Sequence, residues 1–517
     1  MKIMLAQINT TVGDLAGNVE RCLDAIIEGG RHDASLVVLP EMAIPGYPPR
    51  DILLDPSFVD AVGEATHDLA RRAADGPPAL VGTVVPSGTT TVNHPGLYNV
   101  AALIQNGRTT TTAAKRLLPA YDVFLEPRWF VPGPASHPVT IAGRQVGVLV
   151  CEDMWDESYP VHPGTELIAA GAEVLIALAA VPYRPGVADE RLYHARRHGC
   201  PLVHVNLCGA TDELIFDGSS FAVDGRGNII AQLPSFEEAV RVVDLDTASP
   251  IAADAVSLEE ELYKALTLGI RDFTRKNGIS RVFLGLSGGV DSTVVAVLAA
   301  EALGPTNVTA VAIPSRYTDP RSTESAQSLA RALGIGFEVV ELEPLHSTAE
   351  STLGELLTAT DASAAAGTAA ENIQARLRML ILMTFVNRYG GMLLNTSNKT
   401  ELALGYGTLY GDLAGTLSPI GDLAKPQVYD LARWIQATRG IIPGFILERP
   451  PSAELKPDQV DPFDYPKIAP ALDRLVRANR SNAALRRSEH KRRHHGIILK
   501  VSEKAFGTGR LIPVTRR

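Results

Sequence analysis

The chain has 517 residues, of which 45% are hydrophobic and 21% charged, and its formal net charge at pH 7 is −10. This length exceeds one ordinary hydrophobic core, so two or three domains are expected, and the acidic balance argues against generic nucleic-acid binding. The four cysteines form no Cys-x-x-Cys motif, which favours a reducing compartment over a disulfide framework. No signal-peptide pattern is visible and no apolar run reaches membrane-spanning length, so we predict a cytoplasmic protein without a membrane partner.

The first half alternates short apolar runs, which predict strands, with longer periodic runs, which predict helices. A hairpin is expected where residues 219–223 and 229–232 flank the turn sequence Asp224-Gly225-Arg226-Gly227-Asn228. The other strands are predicted at residues 2–7, 35–39, 80–85, 99–104, 145–150, 174–178 and 202–206. The helices are predicted at residues 18–30, 57–74, 165–171 and 189–198.

A linker is predicted at residues 244–256, after which Ser257 and Glu260 have the spacing of a helix capping box. The expected domains are therefore residues 1–246 and 257–517. In the second domain, helix-length spacers separate the strands, which predicts a parallel, doubly wound sheet. Its strands are predicted at residues 282–286, 308–313, 337–342 and 392–395, with a long helix at 368–389 and a loop in the Ala-rich stretch 362–370.

The segment Gly285-Leu286-Ser287-Gly288-Gly289-Val290-Asp291-Ser292 lies between a predicted strand and an Ala-rich helix. Backbone N–H groups at such a helix start have no intrahelical acceptor, so they form an anion site. The segment lacks the lysine of a G-x-x-x-x-G-K-[ST] loop, and its Asp291 would repel phosphate unless Mg²⁺ lay between them. An ordinary Gly-rich turn is the alternative. The whole segment resembles the pyrophosphate loop of the N-type ATP pyrophosphatases.

Three reactive side chains follow strand-like runs in the first half: Glu41, Lys115 and Cys151. Taken singly, they are typical of surface charges and of a structural cysteine. Together they suit nucleophilic catalysis, since a thiol needs a base and a nearby cation to react at neutral pH. The constellation resembles the nitrilase superfamily over roughly residues 1–245. That resemblance implies an αββα sandwich and amide hydrolysis through a cysteinyl thioester.

A nitrilase-like half in front of an ATP pyrophosphatase half resembles the glutamine-dependent NAD⁺ synthetase family. The resemblance implies that glutamine is hydrolysed at Cys151 and that ammonia passes through a tunnel to the second site. There ATP adenylates deamido-NAD⁺, which ammonia then amidates. It further implies a homo-oligomer, from a dimer of synthetase domains up to an octamer, and a glutamine contact at Tyr121. Members usually have serines where this chain has Ala179 and Val181, which predicts an altered glutamine pocket.

The same resemblance assigns residues of the second half to ATP, deamido-NAD⁺ and Mg²⁺. Asn372 and Arg376 lie four apart, so they share one helix face, and they are expected at deamido-NAD⁺. NAD⁺ would be the product here, since no G-x-G-x-x-G fingerprint of a redox cofactor site is present. Asp291 and Glu401 are expected to bind Mg²⁺. The residues expected to bind ATP are 285–292, Thr396, Lys425 and Ser452. The further residues expected to bind deamido-NAD⁺ are Glu401, His490 and Lys491.

Two alternatives remain open from the sequence. The second half could adenylate another acceptor, as in GMP-synthetase-like or tRNA-modifying ligases, because several families share the pyrophosphate loop. The first half could be a non-catalytic oligomerisation module, with free ammonia as the nitrogen donor. The altered residues at Ala179 and Val181 favour that second alternative.

Overall fold

The computed structural model describes residues 1–89, 91, 94–252, 256–358, 368–457, 459–507 and 509. The chain forms two compact units, Met1–Ala255 and Val256–Arg517, called unit 1 and unit 2 below. None of the helices within the described ranges is long and apolar enough to cross a membrane.

Unit 1 contains two six-stranded sheets and one short hairpin. The first sheet has the order β14-β1-β2-β3-β4-β5, the second has the order β13-β12-β9-β8-β7-β6, and β10 pairs with β11. The strands are β1 (Lys2–Gln7), β2 (Leu36–Val38), β3 (Ala79–Pro86), β4 (Leu97–Gln105), β5 (Arg108–Ala114), β6 (Val139–Ile141), β7 (Arg144–Val150), β8 (Val174–Ala179), β9 (Leu202–Asn206), β10 (Cys208–Thr211), β11 (Leu214–Asp217), β12 (Phe221–Val223), β13 (Ile229–Gln232) and β14 (Ala239–Asp244).

The two sheets of unit 1 pack face to face, with helices on their outer faces. Successive side chains of a strand point to opposite faces: Leu5 packs between the sheets with Val148, whereas Met4 packs in the outer cluster with helices α1 and α2. In the second sheet, Leu149 likewise packs against α3 and α4. This arrangement confirms the predicted αββα sandwich. Its helices are α1 (Leu15–Arg31), α2 (Pro56–Arg72), α3 (Pro163–Ala169) and α4 (Val187–Arg197).

Unit 2 is built on a parallel sheet of order β17-β16-β15-β18. Its strands are β15 (Val282–Gly285), β16 (Val308–Ala312), β17 (Gly336–Val339) and β18 (Met392–Leu393), and a separate parallel pair is β19 (Leu417–Ser418) with β20 (Ile497–Ile498). Its helices are α5 (Leu258–Lys276), α6 (Val290–Leu303), α7 (Pro320–Leu333), α8 (Glu343–Thr358), α9 (Ala369–Tyr389), α10 (Lys399–Leu404), α11 (Lys425–Arg439), α12 (Gly444–Glu448), α13 (Tyr465–Arg477) and α14 (Ala483–Arg492).

Helices cover the parallel sheet of unit 2, as predicted. Phe283 and Val311 pack in one core cluster with Leu382 of α9. Helix α6 packs against β15 and β16 and is covered in turn by α5, α7 and α11. The arrangement confirms the doubly wound fold and places the segment between β15 and α6 at the carboxyl end of the sheet, where such folds bind ligands.

The predicted linker begins too early. Asp244 is the last residue of β14, which pairs antiparallel with β1 from the beginning of the unit 1 sequence. The N-terminal amino group pairs with both Asp244 and Asp246, so the chain is still part of unit 1 there. Further on, Ser257 caps α5 by accepting a hydrogen bond from the Glu260 N–H, as its position predicts. Of the predicted loop 362–370, residues 362–367 lie outside the described residues and α9 begins at Ala369.

Candidate active sites

The three reactive side chains predicted in unit 1 lie at the ends of strands from both sheets. Glu41 follows β2, Lys115 follows β5, and Cys151 follows β7. All three side chains are buried. The Lys115 ammonium donates to Glu41 Oε1 over 2.9 Å, so the structure brings the predicted base and the predicted cation into one ion pair.

Two further donors fix the Glu41 carboxylate. Asn99 Nδ2 donates to Oε1 over 2.7 Å, and the backbone N–H of Ala180 donates to Oε2 over 3.0 Å. A carboxylate with three donors is held in one orientation. Sequence reasoning missed Asn99, because an asparagine near the start of an apolar strand carries no pattern that marks it as a partner of Glu41.

Cys151 begins a short 3₁₀ helix directly after β7, and its backbone has a left-handed φ of 47°. Asp153 in the next turn accepts hydrogen bonds from the backbone of Arg116 and Leu117, both at 2.9 Å, which ties the cysteine turn to the segment that carries Lys115. Burial raises the pKa of the Cys151 thiol, and Glu41 raises it further, while Lys115 and the Ala180 N–H act in the opposite direction. The resting group is therefore a thiol, which needs a base before it can attack.

A second carboxylate, which the sequence did not reveal, lies on the other side of Lys115. Glu126 Oε1 accepts from Lys115 Nζ over 2.7 Å and from the Tyr47 hydroxyl over 3.3 Å. Burial raises the pKa of Glu126 to about 7, with Glu41 adding to the rise and Lys115 opposing it. Two buried carboxylates thus share one ammonium. Glu126 begins a single 3₁₀ turn, Glu126–Arg128, in a connecting segment whose sequence predicts only solvated charge, so no signal marked it.

The three predicted glutamine contacts lie beside these groups. The Tyr121 hydroxyl donates to both carboxylate oxygens of Glu152, the residue after Cys151, at 3.1 Å each. Ala179 is the last residue of β8 and is fully buried. The Val181 N–H donates to Asn206 Oδ1 over 2.8 Å. Ala179 and Val181 flank the Ala180 N–H that binds Glu41, and both present apolar side chains there.

In unit 2, the predicted pyrophosphate loop forms a tight turn between β15 and α6. Ser287 and Ser292 close it through their hydroxyl groups, which are 3.2 Å apart. Gly288 has a left-handed φ of 77°, and a Cβ there would lie 2.3 Å from the carbonyl oxygen of Ser322. The first N–H groups of α6, which begins at Val290, have no acceptor within the helix. The turn is therefore shaped to receive an anion.

The loop lines a cavity of about 280 Å³. Most of the residues predicted for ATP also line it, whereas Gly288 does not. Cavities of this size suit a nucleotide-sized ligand better than a single ion. The predicted residues along its wall are Gly285, Leu286, Ser287, Gly289, Val290, Asp291, Ser292, Thr396, Glu401, Lys425 and Ser452.

Asp291 and Glu401 lie on either side of the Lys425 ammonium. Lys425 Nζ is 2.5 Å from Asp291 Oδ2 and 3.4 Å from Glu401 Oε1, and Asn398 Nδ2 donates to the other oxygen of Asp291 over 3.0 Å. Burial raises the pKa of Glu401 to about 8, with Lys425 opposing the rise and Asp291 adding to it. Two carboxylates that converge on one cation fit Mg²⁺, which binds one or two carboxylates together with phosphate oxygens and water.

The cavity also has cationic and aromatic walls that the sequence did not predict. Arg378 of α9 lines it and donates to the carbonyl oxygen of Ile313 over 3.1 Å. Arg449 lines it beside the loop and pairs with Glu454 at 3.0 Å. Tyr406 and Tyr429 complete that wall. These residues lack a local motif, and only the packing of α9, α11 and the 449–455 loop brings them together.

Of the residues predicted for deamido-NAD⁺, only Glu401 lines the cavity. Asn372 accepts from the Thr408 hydroxyl over 2.6 Å and Arg376 donates to the Leu409 carbonyl over 3.2 Å, so these two residues share a helix face that holds the 405–409 loop. Lys491 donates to the carbonyl oxygens of Gly405 and Gly407, both at 2.7 Å. His490 is exposed in the last turn of α14.

The chain is similar to known proteins along its whole length. A family model described as carbon-nitrogen hydrolase matches residues 2–253, and one described as NAD synthase matches residues 262–504. The glutamine-dependent NAD(+) synthetase of Synechocystis sp. is 39% identical, covering 99% of this chain and 98% of the relative. That of Rhodobacter capsulatus is also 39% identical, covering 100% and 98%.

A solved structure gives the same result. The glutamine-dependent NAD⁺ synthetase from Acinetobacter baumannii in complex with ADP superposes with a TM-score of 0.80 at 29% identity, covering 99% of this chain and 98% of that one. The alternative acceptors of GMP-synthetase-like and tRNA-modifying ligases are set aside, because these relatives share one activity over their full length. The chain therefore belongs to the glutamine-dependent NAD⁺ synthetases, ATP-dependent ligases that use glutamine as the amide donor.

Proposed function

We propose that unit 1 hydrolyses glutamine at Cys151 and that unit 2 uses the ammonia to convert deamido-NAD⁺ into NAD⁺. The observation that carries the proposal is the buried Glu41–Lys115 ion pair beside a nucleophilic thiol, in the same chain as a Gly-rich loop that lines a nucleotide-sized cavity. The residue roles below follow from these contacts. The functional boundaries at residues 1–246 and 257–517 remain predictions.

Glutamine hydrolysis begins with proton transfer from the Cys151 thiol to Glu41. The sulfur then forms a bond to the amide carbon, and the carbonyl π electrons move to its oxygen. Lys115 stabilises this oxyanion and the thiolate that precedes it. When the oxyanion collapses, the C–N bond breaks and Glu41 returns its proton to the nitrogen, which leaves as ammonia. Water, deprotonated by Glu41, hydrolyses the thioester and releases glutamate.

Glutamine itself is held by Tyr121 and by the end of β8 around Ala179 and Val181. The apolar side chains of Ala179 and Val181 offer no hydrogen bonds to the α-amino and carboxylate groups of glutamine. Tyr121 carries a larger share of the recognition, since its hydroxyl already lies beside Glu152 at the nucleophile turn. We infer a weaker affinity for glutamine than a pocket with serines at both positions would give.

In unit 2, the carboxylate of deamido-NAD⁺ attacks the α-phosphorus of ATP and pyrophosphate leaves. The N–H groups of the 285–292 loop and the Lys425 ammonium stabilise the phosphate charge. Asp291 and Glu401 would hold Mg²⁺, which would neutralise further charge on the phosphates. Ammonia then attacks the acyl carbon of the adenylate, and AMP leaves. Asn372, Arg376, His490 and Lys491 contact the dinucleotide, and three of them (Asn372, Arg376 and Lys491) also hold the 405–409 loop.

Three finer proposals follow from the chemistry. Ammonia travels to unit 2 through a closed passage, because water would protonate it and compete for the adenylate. The chain works as a homo-oligomer, in which Asn372 and Arg376 reach the dinucleotide from a partner subunit. The four reduced cysteines support a cytoplasmic setting.

The experiment that tests the proposal compares glutamine and ammonia as donors in the wild type and in Cys151→Ala. We expect glutamine-driven NAD⁺ formation to fall at least about 10³-fold, since no nucleophile remains, while ammonia-driven formation stays within about twofold. Cys200→Ala, at a half-buried cysteine of unit 1, is the matched control and should leave both activities intact. Equal use of glutamine by wild type and Cys151→Ala would instead support the non-catalytic role of unit 1.

A further inference from the structure

Asn99 is joined to both members of the Glu41–Lys115 pair. Its side-chain amide donates to Glu41 Oε1 over 2.7 Å, and its backbone carbonyl accepts from the Lys115 N–H over 2.8 Å. It lies within β4, in register with Val84 of β3, and only 1% of its surface is exposed. Asn99 therefore sets the position of the base and of the strand end that presents the cation.

The orientation of the Asn99 amide is determined by its partner. A carboxylate only accepts hydrogen bonds, so the atom that faces Glu41 is the NH₂ group. The other atom, Oδ1, is buried and has no hydrogen-bond partner among the described residues. A leucine would fill the same space without an unsatisfied oxygen. The amide at this position thus costs stability and contributes a donor to Glu41.

Among the described residues, the donors on Glu41 leave one lone-pair position open, and it lies on the oxygen that shares the Ala180 N–H with the thiol. Asn99 and Lys115 occupy Oε1, and the Ala180 N–H donates to Oε2. The same Ala180 N–H also interacts with the Cys151 sulfur, so Oε2 and the sulfur share one donor. A carboxylate has about four lone-pair sites. With three of them filled, the remaining site on Oε2 is the one that takes the thiol proton.

We propose that Asn99 is a positioning residue of the glutaminase reaction, which fixes the orientation of the Glu41 carboxylate so that its free lone pair of electrons is available to the Cys151 thiol. The inference rests on the proposed role of Cys151. The proton balance is that of the reaction above: the thiol proton moves to Glu41 Oε2 and then to the departing nitrogen. Asn99 exchanges no proton and acts only through the carboxylate.

The titratable groups around Glu41 are few and all buried or partly buried. Because these groups can also titrate, they must be considered before a change in the pH profile of kcat is assigned to Glu41. Loss of the Asn99 donor favours the protonated carboxyl, so the base is neutralised at a higher pH than in the wild type. These neighbours are Tyr47, Lys115, Glu126, Cys151 and Glu152.

The test uses Asn99→Leu and Asn99→Asp in the full chain, with glutamine and ammonia as alternative donors. We expect kcat for glutamine hydrolysis at pH 7 to fall about 10- to 100-fold, with KM for glutamine within about threefold and the acid limb of the kcat profile moved to higher pH. Asn99→Asp preserves the shape of the side chain but adds a negative charge next to Glu41. The acid limb of its kcat profile should therefore move further to higher pH. Ammonia-driven NAD⁺ formation stays within about twofold in both.

Thr66→Val is the matched control, since Thr66 is a buried hydrogen-bonded residue of unit 1 without contact to Glu41. It should leave the acid limb unmoved. A loss of glutaminase rate in the Asn99 variants without movement of the acid limb would overturn the inference, because it would indicate a purely structural role. If Asn99→Leu does not fold, the position of the acid limb of the kcat profile in Asn99→Asp alone tests the inference. Retained glutamine use in Cys151→Ala would instead refute the proposed function itself.

Discussion

Each active site holds one buried lysine between two carboxylates. Lys115 binds Glu41 and Glu126, and Lys425 binds Asp291 and Glu401. Burial of a surplus negative charge is unfavourable, and in each site this cost raises the pKa of one carboxylate. The pKa of Glu126 is raised to about 7 and that of Glu401 to about 8. In unit 2 the proposed Mg²⁺ would offset this surplus, whereas in unit 1 Glu126 can offset it by taking up a proton near pH 7.

The raised pKa of Glu126 leads to a prediction about how the stability of the protein depends on pH. Its folded pKa of about 7 lies above the ordinary value of 4.5, so the proton is held more tightly in the folded state. The resulting stabilisation is complete below pH 4.5 and is lost as the pH rises through 7. Glu126→Gln mimics the protonated form. We expect the stability of the variant relative to the wild type to increase by about 1–3 kcal/mol between pH 5 and pH 8.

Urea unfolding at the two pH values, followed by the fluorescence of Trp129 and Trp155 in unit 1, measures this change. The ammonia-driven activity of unit 2 serves as the control and should be unaffected by Glu126→Gln. Parallel loss of stability with pH in variant and wild type would show that Glu126 is ionised throughout the range.

The residues that sequence reasoning predicted are those with a local signature. Glu41, Lys115 and Cys151 each follow a strand, and strand ends in α/β folds present reactive groups. Asn99 and Glu126 have no such signature, since one lies within a strand and the other in a charged connecting segment. Their roles depend on distances across two sheets, which neither periodicity nor spacing encodes.

At the scale of elements, the turn between β15 and α6 depends on a glycine conformation. Gly288 combines a φ of 77° with a backbone oxygen, that of Ser322, at 2.3 Å from where a Cβ would lie. An alanine there would be strained by about 1–2 kcal/mol from φ alone, and the loop would also have to move away from Ser322. Such a displacement would move the N–H groups that we propose bind the phosphates of ATP.

We therefore expect Gly288→Ala to reduce ammonia-driven NAD⁺ formation at least about 10-fold, since shifts near 1 Å in a positioning group cost up to about 100-fold. Glutamine hydrolysis should be unchanged. Gly278→Ala is the matched control, because Gly278 has a φ of 66° and nothing within 4 Å of an added Cβ. Steady-state rates with ammonia and ATP measure both variants. Equal activity of the Gly288→Ala and Gly278→Ala variants would show that the close contact between position 288 and the Ser322 carbonyl oxygen does not affect the reaction.

Elements with regular periodicity were predicted well, and those defined by distant pairing were not. The strands β1 and β9 and the helix α9 agree with their predicted bounds to within one residue. In contrast, β14 was partly assigned to a linker, because its identity depends on pairing with β1 more than 230 residues earlier in the chain. The Thr-rich strand β5 has an irregular alternation and is partly exposed, so its bounds could not be assigned from the sequence.

At the scale of the whole molecule, the chain combines two units that each have a hydrophobic core of their own. Each reaction can therefore be disabled without unfolding the other unit, which gives every variant above an internal control. The two reactions share one intermediate, ammonia, and the chemistry of the adenylate requires that it arrive unprotonated. We therefore propose that the transfer of ammonia takes place within the intact chain.

Isotope labelling tests this transfer directly. With glutamine labelled with ¹⁵N at the amide and an equal concentration of unlabelled ammonium, we expect the NAD⁺ made by the wild type to carry mostly ¹⁵N, because ammonia released at Cys151 does not mix with the solvent. In a mixture of Cys151→Ala and Gly288→Ala chains, glutamine is hydrolysed by the Gly288→Ala chain and NAD⁺ is formed mainly by the Cys151→Ala chain. Ammonia must then cross the solvent, so the unlabelled ammonium should dilute the ¹⁵N label in NAD⁺. Mass spectrometry of NAD⁺ measures both fractions. The same dilution in wild type and mixture would mean that ammonia is released and recaptured, and the proposed passage would then be wrong.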